Sequence, residues 1–369
     1  MNFEKLKNQP YAAFLYSGRE AAAGCGLRHI LAYGLDKVCN SAASISQENG
    51  RLYGYFGYNY RHQLENYPQD AKTFIATPDV QFMKLQHQEV LEGKLELPNH
   101  SSIAKVRQFE SNMTDVQYLA KVADIIEKIK AGELYQANLT RKFFGEFETA
   151  PNSLDIFCAL AKLSPAPYSA YIKMGDVHII SASPEKFLTM QNGLVTTIPI
   201  KGTLSAKKPA SELAASQKDR AENLMIVDLM RNDLAKICKN VRVEKLFEVT
   251  SYPQYHHMSS TIVGETDKAA LEVINACFPA GSMTGAPKIA AVNLCTKLEN
   301  WERGIYSGAL GWIEPNACDL SVVIRTIIIK DNKFEFQVGG GIVADSVPEK
   351  ELQEIYVKSA AICQVLGLK

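Results

Sequence analysis

Apolar residues along the chain change period several times, and those changes lay out its elements. From 113 to 130, Tyr118, Val122, Ile125, Ile126 and Ile129 recur at three- and four-residue steps, which is one face of a helix. Thr114 or Asp115 supplies the N-cap and Gly132 the stop. Residues 133–144 then run into a strand, and a short helix is predicted over Ser153–Leu163, before Pro165 and Pro167. Strands follow at Ser169–Lys173 and Val177–Ser181, closing on Ser183, Pro184 and Glu185; Asn192-Gly193 between apolar runs predicts a hairpin. Ser211–Lys239 reads as one helix, Val241–Phe247 and His256–Val263 as strands, and Ala269–Cys277 as a helix. Residues 278–288 open a further helix that runs to Leu298. Strands are predicted at Ile305–Ile313, Leu320–Lys330 and Lys333–Val338, the last broken by Gly339, Gly340 and Gly341. Ser346 and Glu349 have the spacing of a capping box for a final helix. Nearer the start, Leu52–Tyr58 reads as an aromatic strand or turn, Val80–Glu89 and Glu92–Leu97 as strands around Gly93, and Pro98–Ser102 as a loop. Strands grouped with helices, without strict alternation, favour an α+β architecture; no internal repeat is present.

Composition narrows the function classes. The 369 residues are 46% hydrophobic and 22% charged, the balance of a globular protein large enough for one big domain or two ordinary ones. Lys plus Arg and Asp plus Glu both number 40, so the basic surplus of a nucleic-acid binder is missing. No apolar run reaches membrane-spanning length, and Tyr11–Tyr16 is too short and poorly flanked for a signal peptide. Eight scattered cysteines, without a C-x-x-C pair, indicate neither a zinc site nor a disulfide framework, and reduced, cytoplasmic residence is the plain reading.

The candidate chemistry centres on Thr196–Thr203. Ile198 and Ile200 face one side of such a strand and Lys201 the other, with Pro199 interrupting the pattern and Gly202 allowing close backbone approach. Lys201 is either a solvated charge or, in a closed cavity, an amine partly freed to act as a nucleophile. Asp219 with Glu222, and Glu351 with Glu354, stand three apart on two predicted helices, so each pair shares a face. They form either surface ion pairs, worth about 0.3–0.5 kcal/mol, or the oxygen shell of a hard cation such as Mg²⁺. The run Gly281–Lys288 is a glycine-rich loop feeding a helix, an anion site that fails the P-loop pattern because Ala286-Pro287 precedes the lysine. Gly339–Gly341 is either a second anion nest or a plain turn. His256 and His257 point to opposite faces, one of them structural, and Arg325 in an apolar strand calls for a carboxylate partner. The set suits a small substrate bearing several carboxylates.

Eight runs together resemble the chorismate-utilising enzymes, and within them the aminodeoxychorismate synthase component I type. They are residues 132–140 (GELYQANLT), 183–185 (SPE), 199–203 (PIKGT), 219–233 (DRAENLMIVDLMRND), 256–257 (HH), 278–288 (FPAGSMTGAPK), 324–326 (IRT) and 339–346 (GGGIVADS). They cover 113–369 in family order, whereas the first hundred residues match weakly, mainly at Gly54–Tyr58. The resemblance implies two packed β-sheets with helices outside and an active-site cleft between them, residues 1–110 forming part of the scaffold and 111–369 the catalytic region. It implies Mg²⁺ held by Glu222 and Glu354, with Asp219 and Glu351 supporting through water. It puts the ring carboxylate of chorismate between the metal, Thr284 and Lys358, and the enolpyruvyl carboxylate on Arg325 and the amides of Gly339, Gly340 and Gly341. Gly202 joins the substrate-contacting set, and Trp312 stands where relatives often carry Tyr.

Anthranilate synthases resemble the same run but carry alanine at the position of Lys201. The implied mechanism is therefore covalent: Lys201 attacks ring carbon 2, Glu185 protonates the departing 4-hydroxyl, His257 assists, and ammonia then expels the lysine. Ammonia would come from a separate glutamine amidotransferase subunit (component II). Sister anthranilate, isochorismate or salicylate synthases, a non-catalytic relative, and a plain chorismate-binding module stay open as alternatives. The absence of a Leu-Leu-Glu-Ser run near the start leads to an expectation of no feedback control by tryptophan.

Overall fold

A computed structural model describes residues 3–18, 28–99, 103–251 and 255–368. The chain begins with α1 (Glu4–Asn8), β1 (Tyr11–Tyr16), β2 (Arg28–Cys39), α2 (Ala42–Ser46), β3 (Leu52–Phe56), β4 (Val80–Glu92) and β5 (Val106–Ser111). One strand therefore replaces the two expected around Gly93; β4 runs along β2 as far as Glu92, and Gly93 at φ +85° turns the chain out of the sheet. Of the predicted loop Pro98–Ser102, residues 100–102 lie outside the described residues.

α3 (Asp115–Lys130) starts at Thr114, whose hydroxyl accepts from the Gln117 amide while Gln117 reaches back, a complete capping box. β6 (Gln136–Phe147), α4 (Ser153–Leu163), β7 (Tyr168–Met174), β8 (Val177–Ser183), β9 (Lys186–Gln191), β10 (Leu194–Ile198) and β11 (Ile200–Ser205) follow as the pattern predicts. The long helix expected over 211–239 is two, α5 (Ala210–Ala215) and α6 (Gln217–Ala235). Ser216 breaks them with extended backbone (φ −66°, ψ 109°), and its hydroxyl accepts from the Asp219 amide to cap α6.

Beyond it lie β12 (Lys239–Ser251), β13 (Tyr255–Glu265), α7 (Ala270–Cys277), β14 (Gly285–Ala286), α8 (Lys288–Glu299), β15 (Ala309–Glu314), β16 (Ala317–Val322), β17 (Thr326–Lys330), β18 (Lys333–Ile342) and α9 (Pro348–Val365). Residues 305–308 form a turn, with the Gly308 amide donating to the Ile305 carbonyl, so β15 begins later than predicted. The predicted strand Leu320–Lys330 splits at Arg325, whose φ is +50°. Gly339–Gly341 stay inside β18, paired with Thr140, Leu139 and Asn138. The capping box at Ser346 does not form: its hydroxyl accepts from the Val343 amide and donates to Glu351 at 2.7 Å.

Among the described residues every strand pairing is antiparallel, and the pairings chain into one ribbon. It runs β6-β18-β17-β8-β7-β1-β2-β4-β3-β15-β16-β9-β10-β13, with β5 and β14 on β6 and with β11 and β12 on β13. Side-chain alternation shows how it folds. Ala13, Ile179 and Ile328 pack with Tyr53, Tyr55 and Leu310 in one core, so the two halves of the ribbon lie face to face. The alternate residues Phe14, Ile180, Ile327 and Ile329 pack outward under α3, α4, α8 and α9. On the other half, Phe187, Leu188 and Ile313 lie under α6 and α7. The architecture is α+β, two packed β-layers with helices outside, and β1 and β3 tie the first hundred residues into it through β7 and β15.

A buried ion pair locks this frame. Arg303 and Glu299, 1% and 4% exposed, meet through two hydrogen bonds of 2.9 and 2.7 Å. Replacing Arg303 by alanine leaves Glu299 charged and uncompensated, and is expected to cost about 3–5 kcal/mol. Urea unfolding of the variant beside the wild type measures it.

Candidate active site

The chain crosses between the two layers at Pro184-Glu185 and again at 323–325, and the crossings are stitched together. The Val322 amide donates to the Glu185 carbonyl at 3.0 Å, and the Ala182 amide to the Arg325 carbonyl at 3.1 Å. Ser183 Oγ donates to the Val322 carbonyl at 2.6 Å. Glu185 is thereby fixed at the bottom of the junction, 7% exposed. Burial pushes its carboxyl above the usual range, against the nearby Ser282 hydroxyl and the charges of Lys201 and Lys358. Its Oε1 and Ser282 Oγ both lack a hydrogen-bond partner among the described residues.

Lys201 arrives on β11 just past Pro199. The ladder shifts register on both sides, between Thr196 and Ile198 against β9 and between Ile200 and Thr203 against β13. The residue as a whole is half-buried, but its ammonium end lies deep, 3.5 Å from where a Cβ on Gly341 would stand. Burial lowers its pKa, opposed by Glu185 and Glu222, aided by Lys358 and opposed again by Glu354. The cation beside it is thus Lys358. Lys288, at the end of the glycine-rich loop, is spent on Asp233 at 2.5 Å and on the carbonyls of Cys277 and Pro279. Gly202 sits at φ +83°, and a Cβ there would stand 2.9 Å from Asp219 Cβ, so glycine is what lets β11 press on α6.

The four acids line the same cleft from two helices. Carboxylate oxygens of Glu351 and Glu354 lie 3.3 and 3.9 Å from the point a Gly340 Cβ would occupy. Burial raises Glu222 and Glu351, and acid neighbours add to it: Asp219 and Glu354 on Glu222, Glu354 on Glu351. Burial also acts on Glu354, but Lys358 at 2.6 Å holds it below the usual range. Among the described residues no three His, Cys, Asp or Glu side chains close into a metal cage. Mg²⁺ asks for less, one or two carboxylates with waters and substrate oxygens, and the crowded negative charge fits such a cation.

On the far side, Arg325 makes no ion pair among the described residues, and burial lowers its pKa. His257 is 5% exposed with its ring stacked on Tyr255 at 4.3 Å; burial, then Arg325, lowers it to about 4. His256 is the structural one, its ring nitrogens 2.7 Å from Ser251 Oγ and 2.9 Å from the Lys208 carbonyl. β18 outruns β17 beyond Phe336, so the Gly339–Gly341 edge away from β6 is open to the cleft. Lys358 also donates to the Gly339 carbonyl at 2.8 Å.

The loop Gly281–Lys288 is less free than a bare anion cradle. Gly285 and Ala286 pair with Ala137 and Gln136, and the Thr284 hydroxyl is within 3.3 Å of the Ala280 and Gly281 carbonyls. Trp312 lies on β15 under Arg51, whose guanidinium carbon is 3.9 Å from the ring centre. Sequence reasoning gave no role to Gln136, Asn138, Ser282 or Tyr306. Among the described residues Gln136 Oε1 and Asn138 Oδ1 are buried without hydrogen-bond partners, Gln136 Nε2 lies against the position a Cβ on Gly341 would take, and burial, with Glu299 and Glu185 contributing, raises Tyr306. For Gln136 and Asn138 the signal was available in 132–140, where polar residues alternate along a strand with both faces covered.

A family model described as chorismate binding enzyme matches residues 7–364. The chain belongs to the chorismate-binding enzyme family. Aminodeoxychorismate synthase component 1 of Salmonella typhimurium is 34% identical over 342 residues, 84% of this chain and 75% of that protein. Anthranilate synthase component 1 of Acetivibrio thermocellus is 31% identical over 378 residues, 88% of this chain and 76% of that one. Among solved structures, anthranilate synthase component I from Streptococcus pneumoniae superposes with a TM-score of 0.81 at 26% identity, covering 93% of both chains. Membership makes this a chorismate-utilising enzyme, and no described helix is long and apolar enough to cross a membrane.

His257 sets a pH dependence. Its proton is bound more weakly folded (about 4) than unfolded (about 6.5), so its contribution is complete above pH 6.5 and is lost as pH falls towards 4. The loss is on the order of 3 kcal/mol. His257→Gln is expected to flatten the decline in unfolding free energy between pH 6.5 and 4, read from urea titrations at each pH. An NMR titration of the ring in the wild type should place its midpoint near 4.

Proposed function

We propose that the chain converts chorismate and ammonia to 4-amino-4-deoxychorismate through a covalent adduct on Lys201, on the way to 4-aminobenzoate and folate. One observation carries the reading: a desolvated amine at 201 beside Glu185, a carboxyl that burial pushes above the usual range. Each shift runs towards the form the chemistry needs, a nucleophile with a free lone pair and an acid with a proton to give.

In this mechanism the Lys201 amine adds to ring carbon 2, the ring double bonds shift, and the bond from carbon 4 to its hydroxyl breaks. Glu185 transfers its proton to that oxygen, which leaves as water. Ammonia then forms the bond to carbon 4, the double bonds shift back, and the bond from carbon 2 to Lys201 breaks, returning the amine. The proton shed by the incoming nitrogen goes to the Glu185 carboxylate, restoring the acid. Arg325 and the open edge at Gly339, Gly340 and Gly341 hold the enolpyruvyl carboxylate, with His257 against Arg325. Thr284, Lys358 and the backbone at Gly202 bound the ring-carboxylate side. Glu222 and Glu354 would hold Mg²⁺, backed by Asp219 and Glu351. Bound there, it supplies positive charge beside the ring carboxylate.

Ammonia comes from a glutamine amidotransferase partner, a reading supported by the component 1 in the name of the Salmonella relative; we take the enzyme to be cytoplasmic. A second reading, anthranilate synthesis, rests on the 31% identity to the Acetivibrio enzyme. Product mass separates the two, because only anthranilate formation releases pyruvate.

The purified chain with chorismate, Mg²⁺ and an ammonium salt is expected to form the aminated, pyruvate-retaining product, and to use glutamine only once an amidotransferase is added. Lys201→Ala should bind chorismate yet lose that product, and an adduct of the mass of chorismate less one water, seen on the wild type without ammonia, should vanish. Aminated product from Lys201→Ala at the wild-type rate would overturn the covalent route.

The acids give a separate test. Glu222→Gln and Glu354→Gln should each weaken magnesium activation roughly 10–100-fold with the circular dichroism spectrum unchanged. Glu185→Gln should lower turnover roughly 10²–10⁴-fold without loss of chorismate affinity.

A further inference from the structure

Adjacent strand residues face opposite ways, so the backbone that aims Glu185 and Lys201 into the cleft aims Lys186, Ile198 and Ile200 out of its back. Behind it lies a cavity of about 60 Å³ walled by Lys186, Ile198 and Ile200 together with Tyr168 and Pro184. That is roughly four to five times the space one water needs. It holds a small molecule, not one with the ring and side arm of chorismate.

Lys186 is the unusual wall. It is 7% exposed, and its amine makes no hydrogen bond or ion pair among the described residues; its one contact of note is the Tyr168 ring, 5.8 Å to the centre. A cation–π contact at that distance is a weak substitute for a counter-charge. The other charges at the cavity cancel, since Lys245 and Glu248 pair with each other at 2.8 Å on its outer side. His257, on the wall, is neutral at physiological pH. One positive charge is therefore left over. Thr250, Ser259 and Thr261 add hydroxyls, while the prolines and isoleucines leave room for a short apolar stub.

We propose that this cavity binds a small monocarboxylate, of the size of acetate or pyruvate, whose carboxylate pairs with Lys186 and whose carbon end packs on Ile198 and Ile200. The site lies behind the chorismate cleft and shares with it the backbone around Pro199 and the ring of His257. Because that backbone is the irregularly paired segment, an occupant braces the strand that carries Lys201.

Isothermal titration of the full chain with sodium pyruvate and sodium acetate tests the site, with and without saturating chorismate. Saturable binding with a dissociation constant on the order of 1 mM, unchanged by chorismate, is expected. Lys186→Gln should weaken it at least tenfold, while Lys186→Arg retains it. Ile200→Phe, which fills the cavity without touching the charge, should abolish it and decides the matter if Lys186→Gln does not fold. Absence of saturation at ~10 mM, displacement of pyruvate by chorismate, equal affinity for inorganic phosphate, or wild-type binding by folded Lys186→Gln would each overturn the assignment.

Discussion

One guanidinium holds the floor of the cleft in place. Arg303, locked to Glu299, donates to the carbonyls of Met283 and Asn138 at 2.8 and 2.7 Å, while Glu299 accepts the Thr140 amide at 2.9 Å. The loop before Thr284 and the strand bearing Gln136 and Asn138 are therefore referred to one rigid pair. The Asn138 amide and side chain then reach the Thr284 and Ser282 carbonyls. A buried ion pair gains little net stability over apolar packing, but it fixes geometry, because both partners must stay satisfied. Here that constraint positions the groups facing Glu185.

The same low-polarity surroundings set the protonation states. Lys201 and Glu185 attract each other as ions, yet desolvation is the largest influence on both and acts the opposite way. The pair is consequently driven towards neutral amine and neutral acid. At the other end of the cleft the charges stay: Arg325 is permanently protonated, and Glu354 keeps its charge through Lys358. Groups driven towards neutrality in the middle and fixed charges at the rims suit a small dianion held by its carboxylates.

Much of the framework was legible in the chain. Helix periodicity and the Thr114 cap located α3, Asn192-Gly193 located the β9-β10 hairpin, and the i, i+3 acid pairs marked the two helices that line the cleft. These are local signals, fixed by side-chain spacing and turn chemistry within about ten residues. The errors have local causes too. Ser216 and Arg325 interrupt elements without a Gly or Pro to announce it, and Gly339–Gly341 look like a break although β6 keeps them in the ladder.

Order along the chain and spacing could nominate Lys201 but could not say whether it was solvated, since that depends on what covers the other face of β11. Its ammonium end is enclosed by Gly341, Glu185, Glu222 and Lys358, which come from four separate stretches brought together by the doubled ribbon. Lys288, which closes the predicted anion loop, is drawn off by Asp233 and two carbonyls. Desolvation is a property of the whole enclosure. The sequence by itself determined which residue types were available and on which face of which element they stand; only the tertiary structure decided which of them lost water, because burial of a charge depends on neighbours far away in the chain.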